Sequence, residues 1–205
     1  MAERLIYKLY TELMDYRPKI WRRVFVPANI RMPRLAYFLM SIYNMEGEHL
    51  FNFYSPEKDE YYSLKNGDFA GDFDDGYDID AASISLKKII DAEGQKIIFT
   101  YDFGDSWEIS ITLEEIINNS ECPIKKIPGV LEGKGHGIIE DCGGTVGLEM
   151  IAEAFKKKEG QEYEEYCEWL GTKELDLKTF DVDEVNADLK NSMSSLKEIY
   201  EGNLF

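Results

Sequence analysis

The chain has 205 residues, which suits one domain, or one domain with a C-terminal appendage, and allows burial of about 70% of the unfolded surface. Its formal net charge of −17 disfavours nonspecific nucleic-acid binding, and its 13% aromatic content separates it from disordered acidic tails. No run approaches the ~20 apolar residues of a membrane span. Met-Ala-Glu-Arg is not the start of a signal peptide. Cys122, Cys142 and Cys167 are odd in number and widely spaced. They form no paired metal motif and point to a reducing, cytoplasmic setting, each thiol acting as a small buried hydrophobe.

The pattern predicts an α+β fold. An antiparallel or mixed sheet has a central hairpin at 97–113, helices pack on it, and the C-terminal region is helical. A single domain is expected over 1–205, sheet-rich to residue 140 and helical from 141. Arg4 to Asp15 alternates as a first strand, and Arg17-Pro18-Lys19 makes a turn. In a second strand, Ile20 to Val26, Trp21, Arg23 and Phe25 share one face, and Arg22, Val24 and Val26 the other. Pro33 sits in the first turn of a helix carrying Leu35, Phe38, Leu39 and Ile42 as a core stripe.

His49 to Tyr54 is a third strand and a short one follows near Tyr61. The stretch Asp68 to Asp80 holds six acids and no base. It lacks the spacing and closing Glu of an EF-hand, so a solvated loop is expected. Ser83 or Ser85 caps a short helix with Leu86, Ile89 and Ile90, stopped at Gly94.

In the central hairpin, a loop of three, Gly104 to Ser106, pairs Phe103 with Trp107, Tyr101 with Ile109, Phe99 with Ile111 and Ile97 with Leu113. One face is then wholly apolar, and a slip of one residue would spoil it; a loop of five keeps the same register. The other face sets Asp102 opposite Glu108, with Asp105 close by, a crowd of carboxyls that calls for a cation, a shared proton or water. Ile127 to Leu131 is a further strand, and Glu132 to Gly137 a flexible Gly-rich segment. Helices follow over 145–157, with Leu148, Ile151, Ala152 and Phe155 on one face, over 162–170, ending at Gly171, and over 183–200.

All six arginines lie between Arg4 and Arg34. Arginine suits fixed bidentate contact with carboxylates. Arg22 or Arg23 is therefore expected to reach Asp102, Asp105 or Glu108 and neutralise the hairpin tip.

Several stretches resemble the plasmid pRiA4b ORF-3-like family: Pro18-Lys-Ile-Trp21-Arg22-Arg23, Gly47-Glu-His49-Leu50-Phe51-Asn-Phe53, Tyr101-Asp102-Phe103-Gly104-Asp105-Ser-Trp107-Glu108, Pro128-Gly129, Glu140-Asp141-Cys142-Gly143-Gly144 and Phe180-Asp-Val-Asp-Glu-Val-Asn186. The resemblance implies a single α+β domain in a family without an established biochemical activity, loosely associated with mobile elements. The chain departs from it by carrying Ala36 and Ile109 where relatives often have His, and Ile138-Ile139 where they often have Pro-Pro. That removes two potential histidine ligands and leaves His49 and His136.

Three functional readings compete. The preferred one is a binding module, its polar cleft formed by strand 20–26, hairpin tip 102–108 and loop 140–144. The cleft residues are Trp21, Arg22, Arg23, His49, Asp102, Asp105, Trp107, Glu108, Glu140 and Asp141. Its partner is a small polar ligand or a basic peptide or protein, with no cofactor or metal assigned. A divalent-metal or carboxylate-based hydrolase is the alternative, using Asp102, Asp105, Glu108, Glu140 and Asp141. A mobile-element-associated DNA-interacting protein, using the Arg17 to Arg34 stretch, is disfavoured by charge.

Overall fold

Alternation of apolar with polar residues suits a strand buried on one face, and the longest alternating runs form the middle of one eight-stranded sheet. The computed structural model describes residues 5–65 and 78–202. In chain order come β1 (Leu5–Leu13), β2 (Trp21–Pro27), α1 (Met32–Tyr43), β3 (Phe51–Ser55), β4 (Glu60–Ser63), β5 (Ile79–Asp80), β6 (Lys96–Tyr101), β7 (Trp107–Asn118), β8 (Gly129–Lys134), α2 (Gly144–Lys157), α3 (Gln161–Leu170) and α4 (Val182–Glu201). The sheet order is β5-β4-β3-β6-β7-β1-β2-β8, antiparallel throughout except for β4 with β5. The predicted α+β class with a mixed sheet and a C-terminal helix is the one adopted.

One sheet face is apolar, and α1 is buried in the core with it. Its Pro33 stands in the first turn, where a missing N–H costs nothing, and Asn44 ends it in the left-handed conformation. α4 packs against α1 and β8; Tyr200 stacks on Tyr37 at 5.6 Å and meets Phe51 edge-on at 5.2 Å. The other sheet face carries half-exposed Tyr10, Trp21 and Arg23. There Tyr10 stacks on Trp21 at 5.8 Å, with Arg23 5.5 Å from each ring.

The hairpin faces are as expected: Ile97, Phe99, Tyr101, Trp107, Ile109, Ile111 and Leu113 are fully buried. The register is not. Tyr101 pairs with Trp107, Phe99 with Ile109 and Ile97 with Ile111, so every pair is shifted by two residues from the expected one. A shift of two preserves the faces, which is why hydrophobic pattern alone does not forbid it. The turn decides. Asp102 adopts φ 55°, gives its N–H to the Leu50 carbonyl at 2.9 Å, and accepts Ser106 N–H on its own carbonyl at 2.6 Å. The ladder therefore ends at Tyr101 and Trp107, and Phe103 falls outside it, 40% exposed. Thr100, not Asp102, stands opposite Glu108, so the expected cross-strand carboxyl pair does not form.

Two further segments differ from expectation or escape it. Glu132 to Lys134 continues β8 rather than a flexible loop. A side chain on Gly133 would come within 2.6 Å of the Arg22 side chain and 2.8 Å of Phe180, so this glycine serves close packing. Most of the acidic 68–80 stretch lies outside the described residues. Of its described acids, Asp78 accepts a hydrogen bond from the Ser63 hydroxyl, and Asp80 caps the turn at Ala81–Ser83.

Candidate functional site

Three segments meet at the end of the β6–β7 hairpin: the turn 102–106, the connection from α1 to β3, and the loop 138–144 leading into α2. At the end of β6, Tyr101 donates its hydroxyl proton to Glu140 Oε1 at 2.8 Å and accepts the Gly47 and Glu48 N–H groups at 3.1 and 3.2 Å. The Glu46 N–H reaches the same carboxylate oxygen at 2.7 Å. Asp105 accepts the Gly143 N–H at 3.0 Å. Gly144, at φ +69°, lets the loop come so near that a Cβ would lie 2.5 Å from the Asp105 carbonyl oxygen.

His49 sits at the centre. Its Nδ1 is 3.7 Å from Asp102 Oδ1, and its Nε2 is 3.6 Å from Glu140 Oε2 and 3.4 Å from Asp141 Oδ1. The Tyr200 hydroxyl holds the His49 carbonyl, and the ring packs edge-on against Tyr101 at 5.7 Å. Asp102 and Asp141 both have φ 55°, a region costly for most L residues and tolerated by Asp through local hydrogen bonds. Asp102 secures its turn by accepting the Gly104 N–H at 2.9 Å.

Ligand atoms of His49, Asp102 and Asp141 lie within 4.8 Å of one another, a spacing compatible with one ion after small adjustments. Asp102 is 8% exposed, and Glu140 Oε2 is buried without a hydrogen-bond partner. Burial raises the Glu140 pKa above the usual carboxylate range, offset in part by the Glu46 N–H, the Tyr101 hydroxyl and His49. Cys142, at the foot of the loop, has its thiol pushed up to about 12 by burial and by Asp105, so it is no nucleophile at neutral pH.

The arginines do not come here. Arg22 is completely buried, and its guanidinium donates to five backbone carbonyls, those of Trp21, Ile42, Lys134, Gly135 and His136, at 2.7–3.1 Å. The Phe180 ring lies 3.5 Å from its central carbon. Burial lowers its pKa to about 10, which leaves it charged at neutral pH. Arg23 finds carboxylates, but those of Glu114 at 2.8 Å and Glu132 at 2.9 Å on the open sheet face. The expected neutralisation of the tip by Arg22 or Arg23 is thus corrected: a buried cation is satisfied by carbonyls, and the tip faces a histidine.

Of the ten residues singled out, His49, Asp102, Asp105, Glu140 and Asp141 converge. Trp21, Arg22 and Arg23 belong to other surroundings. Trp107 is core, fully buried and cross-strand from Tyr101, and Glu108 lies on the opposite strand face from it. Sequence reasoning missed Tyr101, read only as a core aromatic. Its one usable signal is a hydroxyl at the strand end beside an acidic turn.

The chain matches the plasmid pRiA4b ORF-3-like protein family over residues 5–188. It is 30% identical over 184 residues to the uncharacterized protein y4hQ of Sinorhizobium fredii, covering 88% of this chain and 89% of that one. A crystal structure of MM3350, a protein of unknown function from Methanosarcina mazei Go1, superposes with a TM-score of 0.75 at 28% identity, covering 88% of this chain and 96% of that chain. Extent of match, identity and shared fold agree, and the chain belongs to the plasmid pRiA4b ORF-3-like protein family.

Proposed function

We propose that the protein is a binding module whose hairpin-tip cleft holds a divalent metal ion on His49, Asp102 and Asp141, with Glu140 beside it. This departs from the expectation of no metal. The observation that carries it is the buried Glu140 oxygen without a hydrogen-bond partner, aimed at a histidine already flanked by two more carboxylates. Buried carboxylates need compensation. A divalent ion supplies it directly.

An imidazole with two carboxylates suits first-row ions such as Mn²⁺ or Zn²⁺ better than an all-oxygen calcium site. Such an ion would keep positions open for water or for a polar ligand, and Glu140 is the adjacent group able to accept a proton. The test is equilibrium titration of EDTA-treated protein with MnCl₂ and ZnCl₂. One ion per chain is expected, lost in His49→Ala and Asp141→Asn, with thermal melts showing that both variants fold. Folded wild-type protein that takes up neither metal would end this reading.

A further inference from the structure

A second feature lies away from the hairpin tip. A groove of about 910 Å³ opens between the start of α1, the 122–128 connection and one face of α4. Six basic side chains line it: Arg31 and Arg34, Lys125 and Lys126, and Lys190 and Lys197. Glu201 is the one acid among the described lining residues. It already accepts the Tyr37 hydroxyl at 3.1 Å and faces Lys197 at 3.7 Å. Among the described residues, no carboxylate pairs with Arg34, Lys125, Lys126 or Lys190. In a chain of net charge −17, four cations with no carboxylate partner among the described residues gather around one concavity.

The floor is apolar, with Leu64, Ile127, Pro128 and Met193 half-buried along it. The wall is built firmly. Asn186 of α4 clamps Val130 of β8 by donating to its carbonyl at 2.8 Å and accepting its N–H at 2.9 Å. Lys190 and Lys197, seven residues apart, then fall on the same side of α4.

We propose that this groove binds an organic phosphate: an apolar or aromatic body carrying several phosphate charges. The volume is that of a small-molecule site rather than a track. Lysine ammonium groups suit phosphate as point charges, and arginine suits it as a fork. A long polyanion would extend beyond the patch along a molecule of net charge −17, where screening acts over only ~8–10 Å. A compact one ends within it.

The experiment titrates EDTA-treated protein with ATP at low ionic strength by calorimetry, so the metal site plays no part. One site is expected, weakened roughly tenfold or more when Lys125→Glu and Lys126→Glu are combined. Lys156→Glu, which alters a lysine paired with Glu153 outside the groove, should leave it unchanged. No ATP binding, or equal weakening by Lys156→Glu, would overturn the proposal. Inorganic triphosphate should bind more weakly, because it lacks the body that covers the floor; equal affinity would overturn the organic part. Tighter binding of a single-stranded oligonucleotide than of ATP would replace the proposal with a nucleic-acid surface.

Discussion

Two neighbouring arginines show how a residue's role follows from its face. Arg22 and Arg23 are adjacent on β2, so their side chains leave the strand on opposite sides. Arg22 enters the protein, where it bonds to carbonyls and meets the Phe180 and Tyr43 rings; Arg23 stays at the surface among carboxylates. Replacing Arg22 by Leu deprives those buried carbonyls of their shared donor, and a loss of about 3–5 kcal/mol is expected from the denaturant midpoint. Arg23→Leu should cost ~1 kcal/mol or less, as exposed pairs do. A comparable loss for both would contradict the burial argument. Glu140 gives a prediction of opposite sign. Its folded pKa is raised, so its contribution to stability is fully present below the unfolded value and is lost as pH rises through the folded one. Metal-free Glu140→Gln should therefore melt higher than wild type once pH exceeds the folded pKa, and the gap should close as pH falls below the usual carboxylate range. Metal affinity should in turn rise with pH, because metal ligands bind in their deprotonated forms.

At the scale of elements, the hairpin turn and the loop before α2 act as a unit. Asp105 binds the Gly143 N–H, and Gly144 admits the Asp105 backbone. Gly144→Ala adds strain at a positive φ and a 2.5 Å clash with backbone. It should separate the loop from the turn, costing about 1–3 kcal/mol and weakening Mn²⁺ uptake in the same titration. Retained metal affinity in a folded Gly144→Ala protein would show that the two segments need not touch. The expected register failed for a physical reason visible only here. Asp102 is drawn out of the ladder by Leu50 of the α1–β3 connection, a partner fifty-two positions away whose approach no local pattern encodes.

For the whole molecule, charge is the organising quantity. Acids outnumber bases by 40 to 23, which makes a groove lined by six basic side chains, with one acid among the described lining residues, stand out. No helix among the described residues is long and apolar enough to cross a membrane. If the hairpin-tip site binds as proposed, Mn²⁺ at a hundred times its dissociation constant should stabilise the fold by about 2.7 kcal/mol. For a chain of this size that is a melting shift of roughly 5–11 °C. EDTA should reverse it, and the Asp141→Asn protein should show none.

Read alone, the sequence determined the elements, the buried faces and the family, because these follow from side-chain periodicity and from motifs contiguous in the chain. It also marked His49, Asp102, Asp105, Glu140 and Asp141 as residues of interest. The tertiary structure decided which candidates meet. Strand register, the destination of each arginine and the union of His49 with three distant carboxylates depend on contacts between segments up to 114 residues apart. Those contacts are set by packing of the whole sheet and its helices, and no local spacing carries them.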